Sequence, residues 1–554
     1  MSNPIIDILN ALGSLLRFGV IPFYTEMRSG QFNFLQILAA AFAGSGSAGV
    51  IIIYFRDKIR QIPLYFCNDH VILCGVNETT ETLVQQFRDK KTKTVVIGAR
   101  EDSYEAENIR RSSTVMLSGD PKNPAVLSLA RLNKASSLLA LTGSDGMNAE
   151  IALSAMKIRE KRKGDPLTCI LQINNTGLWK IIREQVLLPG SCPAVRVDFY
   201  NGPALGARYL LGSYFFPGVQ TASAFAPLLI VVGAGSFGEN IIAGASRKWF
   251  ETRPLSVPLQ VLLVDIRARE IKERLLMTYP CLGDTANIHA VSVDVRSAEF
   301  QSGSYLKSFG SYSSVLVFIC LDDDTAGLTA ALALSHHLVG RDARILVRMD
   351  HNPGLAALVK EMSPETVPII PYNSLSFAAR PDLVLGGIRE ILARAIHDQY
   401  LANKSPHDTG QNDAAMVPWD DLPERFRESN RLQAEGILEK LRAVGCDILP
   451  LTDWKATSFS FTPEEIEYLA EMEHVRWMEA MKTQGFSFGS IKDEQKKTHP
   501  SMVPYIELSE SEKEKDRDTV RMIPYYLGLI DFQVYRPERN PADGAIPVGG
   551  RERE

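Results

Sequence analysis

Three glycines and one acid carry the clearest chemistry in this sequence. The apolar run LLIVV at 228–232 ends at Gly233-Ala234-Gly235-Ser236-Phe237-Gly238, and a helical pattern follows. Glycines at this spacing permit a tight strand-to-helix turn, close approach of backbone to a pyrophosphate, and tight packing of helix on strand. The helix N-terminus then turns its N–H groups towards the phosphates. A lone motif of this kind is weak. Here a second apolar run, VLLVD, ends at Asp265, 27 residues beyond Gly238, where a carboxylate can accept hydrogen bonds from a ribose diol. Together they predict a site for NAD or another adenine nucleotide at Gly233, Gly235, Ser236, Phe237, Gly238 and Asp265. The competing reading is a turn kept only for packing.

No catalytic or metal-ligating set is expected beside this turn. A dehydrogenase needs a proton donor or acceptor near the nicotinamide, commonly Tyr-x-x-x-Lys or a placed histidine. The chain has Tyr54 to Lys58, but these lie ahead of any nucleotide-type turn, and His336 and His337 fall on an alanine-rich helical run that suits a structural role. Seven scattered cysteines without a CxxC pair predict reduced thiols in the cytosol and no zinc site. A non-enzymatic role is expected, with an NAD-dependent enzyme as the alternative.

The elements that must hold the turn occur twice. HVILCGVNETTETLVQQF from His70 is followed by an apolar run ending at Gly98, then by VMLSGDP and a second helical stretch. Gly75 matches Gly233 at an offset of 158, and Tyr200-Asn201-x6-Arg208 matches Tyr372-Asn373-x6-Arg380 at an offset of 172. The first copy has lost its phosphate chemistry: Asn77 and Thr80 stand where glycines would admit a pyrophosphate, and Gly98 stands where the ribose acid belongs. With 554 residues, several domains are required. A net charge of −5 supplies no broad positive field, so nucleic acid is not an expected partner.

At these residues the chain resembles the RCK (regulator of potassium conductance) N-terminal family, Rossmann domains on the cytosolic side of potassium channels and transporters. Gly119-Asp120-Pro121, Leu129-Ala130 and Thr142-x-x-Asp145-x-x-Asn148 carry the resemblance in the first copy. The second copy keeps the glycine turn and Asp265, with Val293-Asp294-Val295 and Leu321-Asp322-Asp323-Asp324 in the later positions. The resemblance implies nucleotide binding, with Asp294 joining the site, that controls an event at a membrane through paired Rossmann lobes. A homo-oligomer follows from such pairing.

Composition shifts after residue 402. NKSPHDTGQNDAAM at 403–416 has no apolar period and reads as a flexible linker that lets the following module move. Three of five tryptophans then appear, at 419, 454 and 477, and one helical pattern sets His474 beside Trp477. Glu473-His474-x-x-Trp477, Gly485-Phe486-x-Phe488-Gly489, His499-Pro500, Val503-Pro504-Tyr505, Leu508, Glu512-Lys513, Arg517 and Leu527 resemble the ryanodine-receptor repeat (RyR) domain of bacterial proteins. That resemblance implies a mainly helical module binding a nucleotide-like ligand near His474. A base would stack on Trp477, Phe486 or Tyr505 while Lys513 and Arg517 meet phosphates. The alternative is a module that only contacts a neighbouring subunit.

One segment points to a membrane. Residues 34–55 contain no charge and are followed by Arg56, Lys58 and Arg60, which predicts a transmembrane helix with the bulk of the chain in the cytoplasm at the cell inner membrane. Residues 4–24 read either as an interfacial amphipathic helix or as a first crossing. The expected plan is α/β: an amphipathic or membrane helix at 1–30, a transmembrane helix at 31–60, two tandem doubly wound Rossmann domains at 68–198 and 226–402 joined by 199–225, a linker at 403–416, the RyR module at 417–537 and a tail at 538–554. Its expected role is a nucleotide sensor regulating ion flux or permeabilisation, in the manner of an effector of a bacterial antiviral defence pathway. A passive regulatory subunit of a potassium transporter remains a third reading.

Overall fold

The computed structural model describes residue 64 and residues 67–536, apart from 100–102, 113, 161–165, 187–193, 216–226, 253–256, 309–311, 313, 362–366, 404–414, 455–458 and 494. The expected membrane helix, the 4–24 segment, most of the 403–416 linker and the tail lie outside the described residues. Among the described residues no helix is long and apolar enough to cross a membrane.

Short apolar runs bounded by turns build two sheets. In the first, Val71–Cys74 (β1), Thr94–Gly98 (β2), Val115–Ser118 (β3), Ser137–Ala140 (β4), Leu167–Gln172 (β5) and Val195–Tyr200 (β6) take the order β3-β2-β1-β4-β5-β6. In the second, Leu228–Val232 (β7), Leu259–Asp265 (β8), Ala286–Ser292 (β9), Val315–Ile319 (β10), Ala343–Arg348 (β11) and Ile369–Tyr372 (β12) repeat that order as β12-β11-β10-β7-β8-β9. Every pairing within the second sheet is parallel. Its central strands are uniformly apolar because both faces are covered. Leu229 and Val231 pack into one core cluster while Leu228, Ile230 and Val232 pack into another. Strand order reverses between β7 and β10, so the connections diverge there and leave a crevice at the strands' carboxyl ends. The glycine turn opens onto it.

Two compact units divide the chain, Met1–Gln172 with Pro189–Asp198 and Ile173–Leu188 with Phe199–Glu554. The helix Gly202–Tyr214 therefore belongs with the second lobe, and the Tyr-Asn repeat explains how it is set. Asn201 caps that helix by accepting from Ala204 N (3.0 Å), and Asn373 caps Ser374–Ala378 by accepting from Ser376 N (2.8 Å). The Tyr200 hydroxyl donates to the Ala378 carbonyl at 2.9 Å, tying the two capped elements together.

The C-terminal module is mainly helical, with an antiparallel strand pair joining Asp447–Pro450 to Phe532–Tyr535. Its long helix Pro463–Thr483 starts at a capping box formed by Thr462 and Glu465. That helix meets Glu424–Ala443 through a buried ionic triad: Lys440 Nζ lies 2.6 Å from Glu473, which also accepts from Arg476 at 2.5 and 3.0 Å. These cations hold the Glu473 carboxyl below its ordinary value against the opposing effect of burial.

The sequence suggested a module free to move, but the structure docks it on the second lobe. Glu390, on the helix Pro381–Asn403, is buried and accepts from Arg431 Nε at 2.6 Å. Within the same compact unit, Trp179 packs between Phe199, on β6 of the first sheet, and Phe532 of the module, with centroids at 4.2 and 5.3 Å. A buried carboxylate at a seam demands a fixed partner, which a freely moving module could not provide. Removing one member of the buried Lys440–Glu473 pair strands the other. Lys440→Ala should therefore lower the opening free energy of the 463–483 helix by about 3–5 kcal/mol by hydrogen exchange in the full chain. The exposed pair Arg111–Glu107 should change stability by about 0–1 kcal/mol when broken.

Candidate functional site

The turn after β7 assigns its glycines different jobs. Gly233 has φ +81°, and a Cβ there would stand 2.7 Å from Leu321 Cδ2. A Cβ on Gly238 would come 2.4 Å from the Gly233 carbonyl oxygen, so the helix Ser236–Thr252 can approach the strand only without a side chain at 238. Gly235 is different: it is exposed, and a Cβ there would meet no protein atom within 4 Å. Packing does not require this glycine. A glycine here leaves the backbone open to close approach by an outside group. Having no side chain, Gly235 cannot cap the helix that begins beside it, so the side-chain cap common at helix starts is missing here.

Ser236 is exposed at the helix start. Phe237 does not face the crevice as a ligand-contacting ring. It is buried 5.9 Å from Tyr372 and against Gly206, where an added Cβ would lie 2.8 Å from its Cε2. Only its backbone remains for a ligand. Asp265, at the end of β8, accepts from Ala234 N and Arg267 N, both at 2.9 Å. It thus braces the turn while each carboxylate oxygen keeps a further lone pair for a hydroxyl. Asp294 is exposed beyond β9 and accepts from Arg296 N at 2.9 Å, and Arg296 reaches Asp323 at 2.7 Å. Backbone donors at Ala326 and Thr325, with Arg296, hold the Asp323 carboxyl below its ordinary value. The crevice combines an exposed glycine at a helix start with an acidic rim, whose carboxylates can accept from hydroxyl or amino groups.

Two buried carboxylates lie behind this rim: Asp324, which the sequence placed only within a family motif, and Asp350, which the sequence reading missed. Asp324 accepts from the backbone N–H groups of Asp350 (3.2 Å), His351 (3.0 Å) and Asn352 (2.7 Å). Asp350 accepts from Arg348 Nε (2.5 Å), Ser374 N (2.6 Å) and Ser374 Oγ (2.5 Å). They set the loops after β11 and β12. The Asp322-Asp323-Asp324 run was a visible signal, but its pairing with residues 350–352 was not. His337 bonds the Gln301 carbonyl at 2.8 Å and packs on Gly303.

The first lobe answers the same helix-start problem internally. The Asn77 side chain caps Glu78–Asp89 by accepting from Thr80 N (3.0 Å) and donates to the Leu141 carbonyl (2.5 Å). At Gly98 an added Cβ would collide with Val76, so no ribose acid fits there. Thr142 and Asn148 serve the turn itself: Asn148 Oδ1 accepts from Thr142 Oγ1 at 2.7 Å, and its amide donates to the Gln172 carbonyl at 2.8 Å.

In the C-terminal module the structure gathers His474, Trp477, His499 and Tyr505. Trp477 lies 5.6 Å from His474 and 5.0 Å from His499, while Tyr505 lies 6.0 Å from His474. Lys513 Nζ stands 5.7 Å over the Tyr505 ring. Phe486 is half-exposed and makes no ring contact with this cluster among the described residues. Two expected contact residues have internal partners. Arg517 donates to Glu467 (2.7 and 3.1 Å), Glu510 (3.0 Å) and Glu514 (3.1 Å), so a phosphate would have to displace carboxylates. His474 is buried between the Val503 carbonyl (2.8 Å) and Asp516 (3.3 Å). Burial disfavours its charge, but Asp516 and the Val503 carbonyl outweigh burial and raise its pKa above 6.5.

Comparison with known proteins adds two domain families. The TrkA-N domain family matches residues 71–185 and the RyR domain family matches residues 460–536. Potassium channel protein 1 of Methanocaldococcus jannaschii is 27% identical over 110 residues, 19% of this chain and 32% of that protein. An uncharacterised protein of Methanothermus fervidus is 29% identical over 93 residues, 17% of this chain and 15% of that one. The chain thus spans a third or less of the length of these relatives. Among solved structures, a GsuK channel bound to NAD is 15% identical, with TM-score 0.39, covering 70% of this chain and 79% of that one. GsuK bound to ADP is 19% identical, with TM-score 0.37, covering 56% and 68%.

The raised pKa of His474 fixes a sign. The folded state holds the proton more tightly than the unfolded chain, so this contribution is complete below pH 6.5 and is lost as pH rises through the raised folded value. The module's unfolding free energy should fall with rising pH above 6.5, and His474→Gln should flatten that slope in pH-resolved hydrogen exchange.

Proposed function

We propose, from a chain that carries tandem RCK-type Rossmann domains and an RyR domain, that this protein is a nucleotide-sensing regulator whose second lobe binds an adenine nucleotide such as NAD. The observation that carries this reading is the contrast between Asn77 and Gly235. One lobe caps its helix with its own side chain, and the other leaves the helix start open beneath an exposed glycine. Asp265 then supports a ribose, and Gly235, Ser236 and the Phe237 backbone meet the phosphates, with Asp294 on the rim. In the module, Trp477, Tyr505 and Lys513 form the ligand-facing part, while His474 and Arg517 hold it in shape; Phe486 lies beside it.

The output is exerted at a membrane through residues 34–55, whose uncharged run and following Arg56, Lys58 and Arg60 support an inner-membrane anchor with both lobes in the cytoplasm. A homo-oligomer would couple the lobes of several subunits to one opening for ions or solutes.

Calorimetry of the full chain in detergent tests the nucleotide site. NAD should bind, Asp265→Asn should weaken it by about 1–3 kcal/mol, and Gly235→Asp should abolish it by filling the phosphate space with a like charge. Unchanged NAD affinity in Gly235→Asp would remove the turn from the site.

A further inference from the structure

Beyond the glycine turn, the second unit contains a cavity of about 200 Å³ where the helices Gly202–Tyr214 and Ser236–Thr252 meet the C-terminal module. Its lining includes Arg208, Arg247, Lys248, Tyr279, Trp454 and Asp531. The repeated Tyr-Asn-x6-Arg motif shows what is unusual about it. Arg380, in the second repeat, is saturated: it donates to Asp420 at 3.0 and 3.4 Å and to Asp382 at 3.2 and 3.5 Å. Arg208, its counterpart, makes no hydrogen bond among the described residues, and Asp531 Oδ2 lies 3.8 Å away.

Asp531 is already engaged through its other oxygen by Arg247, which also donates to the Gly528 carbonyl and to Glu251 (2.8 Å). Lys248 Nζ donates to the Leu211 carbonyl at 3.1 Å and stands 5.9 Å from the Phe215 ring. Three cations and two carboxylates thus line the cavity, and Asp398 acts on Arg208 from outside that lining. Both side chains are half-buried, and this partial burial lowers the pKa of Arg208 and of Lys248 despite the nearby carboxylates. Tyr279 and Trp454, with ring centroids 6.4 Å apart, supply an apolar wall.

We propose that this junction cavity binds a phosphate-bearing small molecule, its anion held by Arg208 and Lys248 and its remainder lying against Tyr279 and Trp454. The volume is below that of ordinary drug-sized pockets, which excludes a dinucleotide and suits a phosphomonoester head. The bound anion competes with Asp531 for Arg208 and Arg247. Occupancy is therefore linked to how firmly residues 528–531 of the module stay docked.

The test uses the full chain carrying Gly235→Asp, which disables the glycine turn, titrated calorimetrically with inorganic phosphate and with adenosine monophosphate. Saturable binding of at least one probe is expected. Arg208→Gln should weaken it about ten-fold or more, the loss of one charge-assisted hydrogen bond, while Arg344→Gln, an exposed arginine of β11, should leave it unchanged. Should Arg208→Gln fold poorly, Lys248→Gln must show the weakening on its own. Phosphate binding alone identifies a free-anion site, and tighter binding of the monophosphate identifies a nucleotide site; either supports the assignment. Absence of saturable binding, or equal affinity in the Arg208 and Lys248 variants, overturns it.

Discussion

An α-helix begins with N–H groups that no helical carbonyl can reach, and the two lobes of this protein are distinguished by what satisfies them. In the first lobe Asn77 turns back on its own helix and locks to the Leu141 carbonyl. In the second, Gly238 brings the helix onto the strand, Asp265 ties down Ala234, and the space over Gly235 is left empty of protein. The same β-α-β frame therefore yields one closed turn and one receptive one.

Docking of the C-terminal module gives a receptive turn something to act on. The helix that begins at Ser236 also carries Arg247, whose guanidinium holds Asp531 and the Gly528 carbonyl of the module. The glycine turn at one end of this helix and the module docked near its other end are thus joined by one continuous helix. Moving a silent state from 1:99 to 99:1 requires a ligand preference of about 10⁴, roughly 5.5 kcal/mol. One exposed ion pair cannot supply that, whereas the buried Glu390–Arg431 contact, the Arg247 cluster and the Trp179–Phe532 packing together offer several contacts whose loss would add.

Features set by local spacing could be read from the sequence. The strand-turn-helix at 233–238, the acid at the end of the next strand and the Asn caps of the repeated Tyr-Asn motif depend on neighbours within one β-α-β unit, and the structure forms them where the pattern put them. Features set by distant partners could not. Phe237 looked like a turn residue, but its ring is buried because Gly206 and Tyr372 create the space for it. Arg517 looked like a free cation, but Glu467, on another helix, meets it. The 403–416 stretch looked like the boundary of a mobile module, since nothing local announces that Glu390 and Arg431 will pair across it. Such partners follow from tertiary packing, and composition carries no trace of them.

The most direct measurement of the central claim is residue-resolved amide hydrogen exchange on the full chain with and without saturating NAD. The account predicts slowed exchange at Gly235, Ser236, Phe237 and Gly238, with no change at Glu78, Thr79 and Thr80, whose helix start already has its own cap. Equal protection of both turns, or protection confined to the first, would contradict it.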